Sequence, residues 1–296
     1  MTYFLQALTS GLLQGGLLAI IAVGFTLAWG VLNVVNLCHG ACVVLGAYLT
    51  WGLATASGLN PIIAGVVATT AMFGFGYALQ RWLLNLLLRA PVLLPLLVTF
   101  GVGLLLSDAV VAVFSSDYRT LATAYSRESV IISGVYVPGL GLGSLVFAVV
   151  LIACVALWLS GTRYGAAIQA VGMDRDAARL IGIRVRHICA VTFGLAVALA
   201  AVGGALAAAV TPSFSPASAN SYTLDSFIIA VIGGVGNPWG ALVGGLSLGV
   251  LQVVGAVYLP GTYSPSVIPF ALLVLVLLFR PQGLVGRARL ADRADL

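Results

Sequence analysis

The sequence predicts an all-α, polytopic membrane helix bundle of about eight transmembrane helices, with two broken, Gly-rich segments. Three observations predict it. Of the 296 residues 61% are apolar and only 7% are charged, where a soluble domain runs about 25% charged. The mean hydropathy is +1.14, so the chain cannot cover a surface that faces water. Apolar runs long enough to cross a hydrocarbon core of about 30 Å recur from Leu5 to Phe279. The whole chain, 1–296, therefore reads as one transmembrane domain, with its longest inner-side polar stretch at 161–187.

The same composition excludes other classes. No room is left for a sizeable soluble catalytic domain. The apolar fraction rules out disorder, and four cysteines are too few for a disulfide scaffold. The net charge of +5 records basic loops of a membrane chain rather than a nucleic-acid surface. No Asp, Glu, Lys or Arg precedes Arg81, so the start reads as a retained span rather than a cleaved leader.

In chain order the candidate spans are 6–30, 38–56, 61–80, 92–114, 140–160, 188–210, 224–236 with 238–258, and 266–279. Alternation is absent, and the runs exceed the roughly 9–11 residues of a barrel strand. Arginines set the orientation. Arg81 and Arg89 share one loop; Arg163, Arg175, Arg179, Arg184 and Arg186 share another; Arg280, Arg287, Arg289 and Arg293 form the tail. Segment 115–139 carries only Arg119 and Arg127, offset by Asp117 and Glu128. The positive-inside rule puts the three basic segments in the cytoplasm, with 115–139 and the N-terminus outside. The tail stays inside only if 224–258 crosses twice, turning at Gly233-Gly234-Val235-Gly236-Asn237-Pro238.

Two places interrupt the apolar pattern. The first is Asn33-Val34-Val35-Asn36-Leu37-Cys38-His39-Gly40, and the second runs from Gly233 to Gly245. Backbone unwound within lipid must be satisfied by protein or by a water-lined cavity, so such breaks mark solute pathways. The alternative is a tight turn between antiparallel helices. Asn33, Asn36 and His39 concentrate polar groups at the first break and favour a pathway there. In 161–187, Asp174 reads as a helix N-cap and Gly182 as the stop after Ile181. Either an amphipathic connector or a docking helix for a cytoplasmic partner fits that pattern.

Other chemistry is weaker. Cys38, His39 and Cys42 are too few converging ligands for a metal site, and no catalytic constellation can be assembled from eight scattered acids. Asn60-Pro61 and Asn237-Pro238 suggest a passive channel, but no arginine follows the second as a filter requires. Asp108 lies inside an apolar run near its outer end, and Asp225 reads as an N-cap at the outer boundary. Trp29, Trp51, Trp82 and Trp158 fall near span ends, as interfacial aromatics do.

Four segments carry a family resemblance that runs from about Leu5 to Gly286. They are Asn36-Leu37-Cys38-His39-Gly40 with Leu45-Gly46-Ala47-Tyr48, and Thr162-Arg163-Tyr164-Gly165 continuing to Ala178, Leu180, Gly182 and Ile183. Next come Gly233-Gly234-Val235-Gly236 through Gly240 and Gly244-Gly245, then Arg280-Pro281-Gln282-Gly283-Leu284 with Gly286. Together they resemble the H-type permease subunits of branched-chain (hydrophobic) amino acid ABC importers.

The resemblance implies a permease in the bacterial inner membrane, with a second permease, two cytoplasmic ATPases and a periplasmic binding protein as partners. The chain would itself be no enzyme and hold no cofactor, ATP being used by the partner subunits. Asn33, Asn36, His39 and Gly40, with Gly233, Gly234, Gly236 and Asn237, are the expected pathway residues. Arg163, Tyr164, Gly165, Asp174, Ala178, Leu180 and Gly182 are the expected ATPase-coupling residues. Relatives often carry an acid after the His-Gly pair where this chain has Ala41, which leaves urea or short amides open as alternative solutes.

Overall fold

A computed structural model describes residues 2–88, 90–91, 93–121, 129–132, 134–258, 267–280 and 283–285. Its helices are α1 (Thr2–Leu32), α2 (His39–Ser57), α3 (Pro61–Trp82), α4 (Leu93–Phe114), α5 (Gly139–Gly161), α6 (Arg163–Met173), α7 (Arg175–Leu180), α8 (Val185–Val210), α9 (Ser218–Gly233), α10 (Pro238–Tyr258) and α11 (Val267–Phe279). Among the described residues, seven helices are long and apolar enough to cross a membrane. The 16-residue α9 and the 13-residue α11 are shorter. The predicted division of 224–258 into two segments is present, but α9 begins six residues earlier than expected, so Asp225 is an interior helical residue and not an N-cap.

α1 is the central column. Every residue from Gly15 to Ala28 is buried, and α10, α8, α5 and α9 pack around it. Small residues allow the contact with α10. A Cβ on Gly11 would fall 2.6 Å from Val250 Cα, and one on Gly249 would fall 2.4 Å from Gly15 Cα. In lipid, where no hydrophobic force draws helices together, such close approach supplies the dispersion contacts that hold a bundle. α3, α4 and α5 lie outside, burying about a fifth of their most apolar windows against 89% for α1. Their exposed Leu, Val and Phe side chains leave an apolar outer surface.

The ends of the bundle differ in charge. Gly172 of α6 and Gly236 of the α9–α10 turn both meet Gly30 of α1, and Leu284 N–H bonds Ile232 O. These contacts gather α6, α7, the 233–238 turn and residues 283–285 at one end, which carries Arg163, Arg175, Arg179 and Arg280. The opposite end is closed by a hairpin the sequence reading missed, β1 (Ser129–Ile132) against β2 (Val135–Pro138). Gln6 extends it, accepting from Tyr136 N–H at 2.8 Å and donating to Tyr136 O at 2.9 Å. Arg89, Arg127, Glu128, Pro281, Gln282, Gly286, Arg287, Arg289 and Arg293 lie outside the described residues.

Candidate functional site: an unwound segment and its basic-end linkage

α1 ends at Leu32, and Asn33 takes a left-handed φ of 53°, a conformation asparagine tolerates better than most residues. The chain then climbs back along α1. His39 Nε2 lies 2.8 Å from Ile21 O, and Ile21 stands about 16 Å of helix rise above Leu32. Residues 33–38 are therefore a non-helical segment that runs back alongside α1. Their polar groups find protein partners locally. Asn36 Oδ1 accepts from Cys38 N–H at 3.2 Å and from the Cys38 thiol at 2.9 Å. Thr99 Oγ1 on α4 accepts from Leu37 N–H at 3.3 Å, and Thr223 Oγ1 on α9 accepts from Gly40 N–H at 3.0 Å.

Gly40 has no alternative. A Cβ there would fall 1.9 Å from Ala219 O, so only glycine allows α2 to start against α9. His39 is wholly buried, packed edge-on against Phe25 at 5.3 Å. A carbonyl only accepts, so Nε2 carries the proton towards Ile21 and leaves Nδ1 as an acceptor. Nδ1 of His39 and Nδ2 of Asn36 are buried without a hydrogen-bond partner. The break thus holds one acceptor and one donor in reserve, beside a cavity of about 360 Å³ lined by Asn33, Asn36, Gln80, Thr99, Arg175 and Phe193.

The second Gly-rich stretch has a different character. Gly233 and Gly240 touch backbone to backbone, a Cβ on Gly233 falling 2.1 Å from Gly240 O. Asn237 Oδ1 caps α10 by accepting from Trp239 N–H at 3.0 Å, while its Nδ2 donates to Val285 O at 3.0 Å. Gly233, Gly234, Gly236 and Asn237 therefore form a tight turn at the arginine-rich end, locked by the segment after α11. The turn alternative describes this geometry; the backbone is not unwound at mid-membrane.

Between α5 and α8, the 161–187 segment forms two helices. Thr162 Oγ1 caps α6 by accepting from Gly165 N–H at 3.0 Å. Asp174 caps α7, its Oδ1 accepting from Asp176 N–H at 2.8 Å and Ala177 N–H at 3.0 Å. Those backbone donors, Ala177 first, pull the Asp174 carboxyl below its ordinary pKa. Gly182 stops α7 with φ 86°, as the sequence predicts. Met173 (86% exposed), Leu180 (89%) and Ile181 (74%) stand out as an apolar knuckle, and Tyr164, at the start of α6, is exposed as well.

Two of the expected coupling residues do not reach that surface. Ala178 is 2% exposed and packs inward, and Gly165 is buried with its Cα against the Leu159 backbone. Both pack inside the segment in the isolated chain. Arg163 is exposed at the start of α6.

One residue that the reading of 161–187 gave no separate role ties the knuckle to the break. Arg175, at the start of α7, donates through Nη2 to Leu32 O and through Nη1 to Leu88 O at 3.2 Å. Leu32 O is among the carbonyls at the α1 C-terminus that lack a helical partner and carry the negative end of the helix dipole. The guanidinium thus links α7 to the point where α1 unwinds. No local pattern shows a bond that spans 143 positions.

A bundle of helices long and apolar enough to cross a membrane, with a non-helical segment inside it and an apolar knuckle at its basic end, has the build of a polytopic membrane protein. Comparison with known proteins specifies which kind. The family model described as "Branched-chain amino acid transport system / permease component" matches residues 7–277, and the chain belongs to that family. It is 31% identical over 300 residues to the high-affinity branched-chain amino acid transport system permease protein BraD of Pseudomonas aeruginosa, covering 96% of each chain. It is 28% identical over 297 residues to the corresponding LivH protein of Escherichia coli K12, again covering 96% of each. A partial likeness, 30% over 172 residues and 51% of this chain, links it to the ribose import permease protein RbsC of Bacillus subtilis. No solved structure matches the chain.

Proposed function

We propose that this chain is one of two permeases in an ATP-driven importer carrying branched-chain or other small apolar amino acids across the bacterial inner membrane. Solute is handed over by a periplasmic binding protein, and ATP is hydrolysed by two cytoplasmic ATPase subunits. The arginine-rich end faces the cytoplasm by the positive-inside rule, which puts the N-terminus in the periplasm.

The observation that carries this reading is the α7 linkage. An apolar knuckle of Met173, Leu180 and Ile181 stands exposed at the arginine-rich end, and such a patch marks a protein contact. Through Arg175 it is tied to Leu32 O, immediately before the unwound segment. A stroke delivered to α7 by an ATPase is thereby passed to Asn33–His39, where backbone and side chains can rearrange between two arrangements of the path. Asn33, Asn36, His39 and Gly40 line or support that path, while the 233–238 turn holds α9 and α10 at its cytoplasmic base.

The test is a gentle-detergent pull-down of the tagged chain from its native membrane, followed by leucine uptake in proteoliposomes made from the recovered complex. Recovery of two ATPases and a second permease, with ATP-dependent uptake, is expected. The chain recovered alone after crosslinking, or uptake that persists without ATP, overturns the reading.

A further inference from the structure

The α9 helix carries a part-buried carboxylate that heads a hydrogen-bonded ladder across three helices. Asp225 Oδ1 accepts from Gln252 Nε2 on α10 at 3.2 Å, and Gln252 Oε1 accepts from Gln14 Nε2 on α1 at 3.1 Å. The depth follows from neighbouring contacts. Two residues before Asp225, Thr223 bonds the Gly40 N–H beside His39; two residues after it, Phe227 stacks on Trp29 at 5.3 Å. Gln14 stands about 27 Å of helix rise above Leu32. The ladder therefore lies inside the hydrocarbon thickness, in its periplasmic half, on the helix that packs against the unwound segment.

A carboxylate at this depth is costly unless something compensates it. Gln252 supplies one N–H. Among the described residues the sole salt bridge is Arg179 with Asp176 at the far end, so no cation of those residues neutralises Asp225. Ionised Asp only accepts, and Gln252 leaves acceptor capacity on the second oxygen. The face around it is not lipid-like. Asn220 and Ser221 are exposed one turn towards the periplasm, Asp225 itself is half-exposed, and Leu224 beside it is 44% exposed. Polar side chains exposed on this face, with Leu224 and Leu251 exposed among them, suit the wall of a path for an amphipathic solute.

Resting on the transport reading above, we propose that Asp225, oriented by Gln252 and Gln14, is a solute-contacting residue that takes the α-ammonium group of an amino acid in passage, with Leu224 against its aliphatic side chain. An ammonium brings three N–H donors and a positive charge to a carboxylate that, among the described residues, has one amide donor and no paired cation. Solutes without the ammonium, whatever their aliphatic shape, lose this contact.

The test uses the complete assembly of both permeases, both ATPases and binding protein in proteoliposomes, with radiolabelled leucine as probe. D225N preparations are judged on complexes that co-purify at wild-type yield. Leucine uptake by D225N is expected to fall at least about tenfold, since a charge contact within the membrane is lost. Q252L keeps the charge but removes its orienting bond, and is expected to lose only about threefold. Uptake by D225N within about twofold of wild type overturns the proposal. Equal losses in D225N and Q252L overturn it too, in favour of an interhelical clamp.

Should D225N fail to assemble, the wild-type complex decides. Dicyclohexylcarbodiimide labelling of Asp225 is expected to slow in the presence of leucine and not of 4-methylpentanoate, which has the same carbon skeleton without the amine. Equal labelling rates under all conditions overturn the proposal. A wild-type assembly that carries no amino acid fails earlier, before any variant is compared, and takes the transport reading with it.

Discussion

Replacing Arg175 by alanine tests the linkage between the cytoplasmic knuckle and the unwound segment. The guanidinium makes two charge-assisted bonds to backbone carbonyls, Leu32 O and Leu88 O. Each such bond contributes about 1.5–3 kcal/mol. The side chain is half-buried and its Nε lacks a partner, so the low end applies, about 3 kcal/mol for the pair. At 1.4 kcal/mol per decade that corresponds to roughly a hundredfold shift away from the docked arrangement of α7. Arg175→Lys keeps the charge but cannot fork to two carbonyls, and should retain about half the effect.

The assay is solute carried per ATP hydrolysed, measured on one proteoliposome preparation. Arg175→Ala should lower that ratio at least about tenfold, with Arg175→Lys in between. Arg184→Ala, which removes an exposed guanidinium from the same segment, should leave it near wild type. An unchanged ratio in Arg175→Ala, or an equal fall in Arg184→Ala, would refute the idea that force passes through this side chain.

Three further outcomes follow from the geometry. Gly40→Ala forces a methyl into Ala219 O and should destabilise the detergent-solubilised protein by about 1–3 kcal/mol or prevent its assembly; Gly52→Ala, whose Cβ would sit 3.7 Å from Phe114, should be silent in the same thermal melt. Leu180→Asp puts a charge on the knuckle, and co-purification of ATPase should drop while membrane insertion persists; undiminished recovery would remove α7 from the interface. The Asp174 cap has a depressed pKa, so its contribution is present above the ordinary carboxylate value of about 3.9 and is lost only as pH falls through its lower folded value. Hydrogen exchange in α7 should thus be constant from neutral pH to about 4 once the intrinsic rate is divided out, and Asp174→Ala should raise it throughout.

What the sequence disclosed and what it hid divide along the range of the interactions. Span positions follow from runs of apolar residues. The α7 boundaries follow from Asp174 and Gly182, whose cap and left-handed turn are decided within a few residues. The break at Asn33–His39 was legible because two asparagines and a histidine have no reason to lie in lipid otherwise.

The start of α9 was not legible, since Ser218-Ala219-Asn220-Ser221-Tyr222-Thr223 reads as a polar loop. Its helicity rests on tertiary contacts, Thr223 with Gly40 above all. Asp225 was misread for the same reason, its partner ladder reaching 27 and then 238 positions along the chain. Asn237 and the glycines around it were ambiguous because a turn and a pathway break share a composition; only the docking of Val285 on Asn237 separates them.

The central place of α1 has a bearing on how the protein is made. Its most apolar window has a mean hydropathy of 2.1, apolar enough to span the bilayer before its partner helices are made. Its glycine seam, however, matches α10, which begins at Pro238 and leaves the ribosome on the order of ten seconds or more later at about 5–20 residues per second. Until then the innermost helix of the finished bundle stands in lipid, its grooves filled by acyl chains that α8 and α10 must later displace. Chains interrupted before α10 would keep that seam open within the membrane, a surface by which a quality-control protease could distinguish the unfinished protein from the assembled one.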